Sequence, residues 1–265
     1  MKEFNFHRPA TVKDAAALLA AHPEGKLLAG GQSLLPVLKL EMAAPSDLIS
    51  LARIPELRGI RSAGGEVTIG AATTHAEVAS SEVVRERLPG LAHLAGRIGD
   101  AQVRNRGTLG GSLAHADPAA DYPAAVLAYG ATIVTDRRSI RGEDFFRGLF
   151  ETALEEGEIL TAVRFPEADR AAYAKFPNHA SKYALVGVMI AQRQGGVRVA
   201  VTGAGPKAFR VPEMERALAA RFAPEALDGI AIASDDLNSD RDASAEYRAH
   251  LVTVMARRAV AAILG

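Results

Sequence analysis

The chain has 265 residues, with basic and acidic side chains equal at 31 each, so no net positive field favours nucleic acid. Hydrophobic residues make up 48%, enough to bury a substantial core in one large domain or two ordinary ones. Cysteine is absent, which excludes disulfides, cysteine-ligated iron–sulfur clusters and thiol catalysis within this chain.

The first residues, MKEFNFHRPATVKD, turn polar at once and lack the apolar core of a secretory signal. The longest late apolar run, Ala184 to Ala191, falls far short of the ~20 residues of a bilayer-spanning helix. A soluble, cytoplasmic protein is expected. Phe4 to Pro9 reads as a short strand, and Thr11 with Asp14 as a capped helix start. Val12, Ala15, Ala16, Leu18 and Leu19 supply that helix's apolar face up to His22, which reads as an ordinary surface residue.

Lys26 to Leu40, KLLAGGQSLLPVLKL, carries the first chemical signal. A strand through Leu27, Leu28 and Ala29 runs into Gly30, Gly31, Gln32 and Ser33, then Leu34. Such a break points backbone donors at something close by. It is neither a Walker A loop nor the dinucleotide fingerprint, and Ser33 lacks the glycine spacing of a nucleophile elbow. Strands are expected at Asp47–Leu51 and Val67–Ala71. Helices are expected from Thr74 and over Pro89–Ile98, where His75 and His93 lack the partners a metal site needs.

Gln102 to Asp121, QVRNRGTLGGSLAHADPAAD, is the second signal. Gly107, Gly110 and Gly111 permit φ > 0 and close backbone approach. With Thr108 and Ser112 they predict an anion-binding nest of main-chain N–H groups and hydroxyls, preceded by Arg104 and Arg106. Asp117 and Asp121 suit ribose or ribityl hydroxyls better than phosphate. Read alone, the stretch equally fits a Gly-rich turn with solvated arginines. His115, Asp117 and Asp121 have metal-ligand types, but Pro118 interrupts any helix that would present them together. Two glycine loops make sense as two walls of one site, sharing a pyrophosphate between them.

Ala131–Thr135 and Glu158–Phe165 read as strands, the latter stopped by Pro166. The composition turns polar over Glu167–Asn178, so a domain boundary is placed near residue 170, with domains at 1–170 and 171–265. Tyr183–Arg193 and Val197–Gly203 read as a hairpin turning at Gln194–Gly195–Gly196. Pro212–Arg221 and Glu246–Leu264 are amphipathic helices, with Arg257 and Arg258 placed to offset the second helix's dipole. Asp235, Asp236, Asp240 and Asp242 read as a solvated acidic loop.

The AGGQS loop, the RNRGTLGGS loop with DPAAD, the EIL strand, KF and YALVGV occur in the order found in one family. Together they resemble the FAD-binding medium subunit of the molybdenum hydroxylases, the carbon monoxide dehydrogenase and xanthine dehydrogenase group. The likeness covers essentially the whole chain. It implies an α+β architecture, in which a vanillyl-alcohol-oxidase-like (PCMH-type) FAD domain precedes a smaller α+β C-terminal domain.

The resemblance also implies non-covalent FAD held by Leu27, Leu28, Ala29, Gly30, Gly31, Gln32, Ser33 and Leu34. Thr108, Leu109, Gly110, Gly111 and Ser112 match the second pyrophosphate loop. Asp121 matches a ribose- or ribityl-binding carboxylate. Ile98 and Leu160 match positions lining the flavin, Lys175 a flavin-contacting lysine, and Tyr183 a residue beside the isoalloxazine. The implied partners are a molybdenum large subunit and a 2Fe–2S small subunit in a dimer of heterotrimers. The molybdenum cofactor and clusters then reside on those subunits, in keeping with the absence of cysteine. A non-redox nucleotide-binding scaffold and a stand-alone FAD oxidase are the competing readings.

Overall fold

The N-terminal strands build a small parallel sheet, which requires crossover connections. In the computed structural model, which describes residues 1–193 and 195–265, β1 (Asn5–His7), β3 (Asp47–Ser50) and β2 (Lys26–Leu28) lie in that order. α1 (Val12–Ala21) is the first crossover, capped by Thr11, whose Oγ1 accepts from the Asp14 amide at 3.0 Å. Its inner face packs Ala15, Val12, Ala16 and Leu19 on Ile49, Leu51, Ile54 and Leu57. The chain leaves β2 through Gly30 and Gly31 into α2 (Leu34–Lys39). His22 is not an ordinary surface residue: its Nδ1 lies 3.3 Å from an oxygen of the buried Asp47.

The second layer is an antiparallel five-stranded sheet. β4 (Ile60–Ala63), β5 (Glu66–Gly70), β10 (Leu160–Pro166), β6 (Thr132–Thr135) and β7 (Ser139–Arg141) are ordered β4–β5–β10–β6–β7. Between β5 and β6 run α3 (His75–Ser80), α4 (Glu82–Arg87), α5 (Pro89–Gly96), α6 (Ala101–Arg104), α7 (Leu109–His115) and α8 (Tyr122–Tyr129). A full capping box starts α3, with Thr74 and Glu77 satisfying each other's backbone amides. Every residue of α8 is buried. An all-round apolar helix is a core helix, and each fully buried large side chain in it contributes about 1.5–3 kcal/mol. α9 (Gly142–Phe145) and the short hairpin β8 (Phe146–Gly148) and β9 (Glu151–Thr152) follow β7.

The C-terminal part is an antiparallel sheet of β11 (Arg170–Pro177), β12 (Ala184–Arg193), β13 (Gly196–Thr202) and β14 (Phe209–Arg210). β12 is apolar from Ala184 to Ala191 because both of its faces are covered there, and it turns polar only at Gln192 and Arg193. Val186, Val188 and Ile190 pack with Leu251, Val252, Met255 and Ala259 of α11 (Ala245–Leu264) and with Met214 and Leu218 of α10 (Pro212–Ala220). Met189 and Ala191 belong instead to the core that contains α8.

One expectation changes, at Arg257. Within the polar stretch Glu167–Asn178, Arg170–Pro177 forms an edge strand paired along β12. Arg257 lies short of the last turn of α11 and pairs with Asp228 at 2.8 Å rather than offsetting the dipole. In the acidic loop all four aspartates are exposed, and Asp240 also accepts from the buried Arg248 at 2.7 Å. The expected turn at Gln194–Gly195–Gly196 includes residue 194, which lies outside the described residues.

Candidate functional site

Where the three-stranded sheet faces α7 and the start of β10, a cavity of about 1210 Å³ opens. Clefts for drug-sized ligands measure roughly 300–1,000 Å³, so this one suits a larger molecule. Its first wall is the chain after β2. Gly31 has φ +74°, the left-handed conformation that glycine adopts without strain. The turn leaves the consecutive main-chain N–H groups of Gly30, Gly31, Gln32, Ser33 and Leu34 without a protein acceptor among the described residues. Ser33, at the cap of α2, makes no side-chain capping bond. A run of unpaired donors beside a cavity has the chemistry of an anion-binding nest.

The second glycine segment is built differently from the nest expected. Gly107, Gly110 and Gly111 do not have positive φ, and Leu109–His115 is helical. The Leu109 amide donates to Thr73 O at 3.0 Å, the Gly110 amide to Ala71 O at 2.9 Å and the Gly111 amide to Thr108 Oγ1 at 3.1 Å. Those donors are therefore spent inside the protein. The glycines serve close packing: a Cβ on Gly110 would lie 2.5 Å from Ala71 Cβ, and one on Gly107 2.6 Å from His75 Nε2. The two loops also abut, since a Cβ on Gly30 would lie 2.6 Å from Gly107 Cα. Ser112 and Thr108 still border the cavity from this wall.

The remaining walls join both cores. Leu27, Leu28, Ala29, Ile98, Leu160, Asp121 and Tyr183 all border the same cavity, as do Gln32, Ser33 and Leu34. Leu109 and Lys175 do not. Leu109 opens α7 and points into the core, fully buried. Lys175 reaches from β11 behind the wall, where its Nζ lies 2.8 Å from Asp121 Oδ1 and 3.2 Å from Arg97 O. Tyr173 donates its hydroxyl to the same Asp121 oxygen at 2.6 Å. Burial pushes the Asp121 carboxyl above its ordinary range, while the Lys175 ammonium and Tyr173 hydroxyl pull it back. Asp121 is thus anchored by β11 rather than free for sugar hydroxyls alone. Asp121 being committed to Lys175, and His115 lying against Phe150 with ring centroids 5.1 Å apart, these two do not join Asp117 as a metal triad.

Tyr183 follows a closed turn in which the Asn178 side chain accepts from the Ala180 and Ser181 amides at 2.9 and 3.0 Å. The tyrosine stands 41% exposed at the cavity's rim. Burial and the charge of Asp117 raise its phenol's pKa, against a hydrogen bond with Ser33.

Sequence reasoning missed two contributors. His75 borders the cavity while only 4% exposed, held down to about pKa 4 by burial and by Arg104, so it is neutral at neutral pH. Its signal was the Thr73–Thr74–His75 run ahead of an apolar helix. The turn Leu154–Ile159 forms another wall. It is fixed by Glu158, which takes a bidentate pair of bonds from Arg138, both 2.9 Å, and bonds from Thr135 Oγ1 at 2.7 Å and the Glu155 amide at 2.8 Å.

Residues 2–168 match the family described as the FAD binding domain in molybdopterin dehydrogenase. Residues 171–263 match the carbon monoxide dehydrogenase flavoprotein C-terminal domain. The chain is 39% identical to the carbon monoxide dehydrogenase medium chain of Hydrogenophaga pseudoflava, covering 97% of this chain and 96% of that one. It is 38% identical to the nicotine 6-hydroxylase medium subunit of Paenarthrobacter nicotinovorans, over 95% and 94%.

Among solved structures, carbon monoxide dehydrogenase from Hydrogenophaga pseudoflava lacking the Mo-pyranopterin moiety superposes with TM-score 0.91 at 39% identity, over 99% and 98% of the two chains. Quinoline 2-oxidoreductase from Pseudomonas putida gives 0.84 at 30%, again over 99% and 98%. An unpaired amide cradle on a cavity this large, within two matched domains, fits FAD, and the chain belongs to the family of FAD-binding medium subunits of the molybdenum hydroxylases.

Proposed function

We propose that this chain holds FAD with its pyrophosphate on the amides of Gly30 to Leu34 and serves as the electron outlet of a molybdenum hydroxylase. The observation that carries the assignment is that run of unpaired N–H groups facing the cavity. The Ser112 and Thr108 hydroxyls complete the polar cradle, and Ala29 and Leu28 lie beside it. Ile98 and Leu160 supply apolar walls for the isoalloxazine. Asp121, oriented by Lys175 and Tyr173, offers its edge to the ribityl or ribose hydroxyls. Tyr183 stands at the rim and screens one face from solvent.

When bound, FAD supplies the redox chemistry between electrons arriving from an iron–sulfur partner and an external acceptor. The chain's residues bind and orient it, and no side chain is needed as a general base. The same proposal places the domain boundary near residue 170, the molybdenum cofactor and 2Fe–2S clusters on large and small partner subunits, and the assembly in the cytoplasm as a dimer of heterotrimers. Support for this division comes from the medium-chain relatives and from the absence of cysteine.

The test is flavin content and affinity. Acid treatment of the purified chain should release one FAD per chain. Gly31→Ala adds a Cβ 2.9 Å from Leu35 Cδ1 at φ +74°, and strain of about 1–3 kcal/mol distorts the cradle. FAD affinity should fall at least tenfold while far-UV circular dichroism is retained. Unchanged affinity in a folded variant would remove the Gly30–Leu34 loop from the binding site.

A further inference from the structure

Outside the cavity, His7, His22 and Asp47 come from three separate stretches and meet at one point. His7 ends β1, His22 follows α1, and Asp47 opens β3. Parallel pairing sets Asn5 opposite Asp47, so His7, two residues on, projects from the same face as Asn5. His7 Nε2 lies 2.6 Å from Asp47 Oδ1 and His22 Nδ1 3.3 Å from Asp47 Oδ2. The two rings sit 5.1 Å apart between centroids. One ligand atom from each of the three residues lies within 4.8 Å of the others.

Donor atoms bound tetrahedrally at ~2.0–2.1 Å are ~3.3 Å apart, so sharing one ion needs side-chain movement of up to about 1.5 Å, with His7 drawing back from its close contact with Asp47 and the widest pair closing. Asp47 is buried, whereas His7 and His22 are 25% and 36% exposed at the side chain. The carboxylate is therefore fixed, and the imidazoles leave an entry path and room for a water ligand. Two imidazoles with one carboxylate suit a borderline ion, whereas calcium and magnesium prefer all-oxygen shells.

We propose that His7, His22 and Asp47 form a zinc-class divalent-cation site with three protein ligands and a water. The ion would clamp β1, the end of α1 and β3 together. β2 pairs with β3 from Lys26 to Leu28 and runs directly into the Gly30 loop. The site therefore stiffens the frame that carries the cradle without touching the cavity's cofactor.

The experiment uses the full, FAD-loaded chain without a histidine tag, stripped with a chelator and titrated with zinc chloride against a chromophoric competitor. Cobalt chloride serves as the spectroscopic probe. Wild type should bind one equivalent of zinc and, with cobalt, develop visible bands of low-coordinate geometry. His22→Gln and His7→Gln should each weaken zinc at least tenfold, leave flavin content unchanged and abolish the zinc-dependent rise in Tm. His22 caps the end of α1 with its side chain 36% exposed, more than that of His7, so His22→Gln decides the matter if His7→Gln fails to fold. No stoichiometric zinc in wild type, or equal affinity in a folded His22→Gln, would reduce the cluster to a hydrogen-bonded clip.

Discussion

Asp121 borders the cavity and at the same time supplies a countercharge for Lys175, whose side chain is 2% exposed. Removing one partner of a buried pair leaves the other charge uncompensated, at a cost of about 3–5 kcal/mol. Asp121→Ala should therefore lower the urea midpoint of the protein in both its FAD-free and FAD-loaded forms. If Asp121 acted on the cofactor alone, the FAD-free variant would unfold like wild type. Asp121's place at the site was legible from its position after the second glycine loop. Its anchoring was not, because Tyr173 and Lys175 are brought to it by a strand far along the sequence. Among the glycines the pattern was legible but ambiguous. Gly31 adopts the left-handed turn that spends no donors, while Gly110 and Gly111 lie in a helix and allow Ala71 and Ala29 to approach. Both uses require the loss of a Cβ, and only the fold separates them.

At the scale of elements, capping and alternation were the readable signals. Thr11, Thr74 and the apolar run of β12 all placed their elements. β11 was hidden because it is an edge strand, with Arg170 exposed, small alanines along it and prolines at or just before its ends. The turn before β10 was hidden too, since its order comes from one buried carboxylate. Arg138 beside Glu158, aided by the Glu155 amide and Thr135, holds that carboxyl down to about pKa 2 from 4.5. A depressed folded pKa contributes stability that is present above the unfolded value and lost as pH falls through the folded one. Glu158→Gln should thus melt below wild type at neutral pH, with the gap constant above about pH 5 and closing towards pH 2. A gap independent of pH over that range would mean the carboxylate's charge contributes nothing to the turn. Because this turn forms a cavity wall, the same titration should loosen FAD in the wild-type protein at acid pH.

At the scale of the whole molecule, β12 faces two cores, one shared with the FAD domain and one closed by α10 and α11. The cavity takes residues from the N-terminal subdomain, from α7 and from the Tyr183 turn, so it is complete only when both parts are folded. It has flavin-cradle chemistry but no cysteine for a cluster. In the proposed function electrons reach it from another protein. The isolated chain, fully loaded with FAD, is expected not to be reduced by carbon monoxide, aldehydes, purines or other heterocycles under anaerobic conditions. Bleaching of the flavin absorbance should begin only after the 2Fe–2S and molybdenum subunits are added, and its rate should then follow their concentration. A non-redox scaffold would stay oxidised even in the full complex. Rapid, stoichiometric bleaching by substrate without partners would place substrate directly at the flavin. The chain would then be a stand-alone oxidase, and the neutral His75 at the cavity wall would be the first residue to test for a direct part in it.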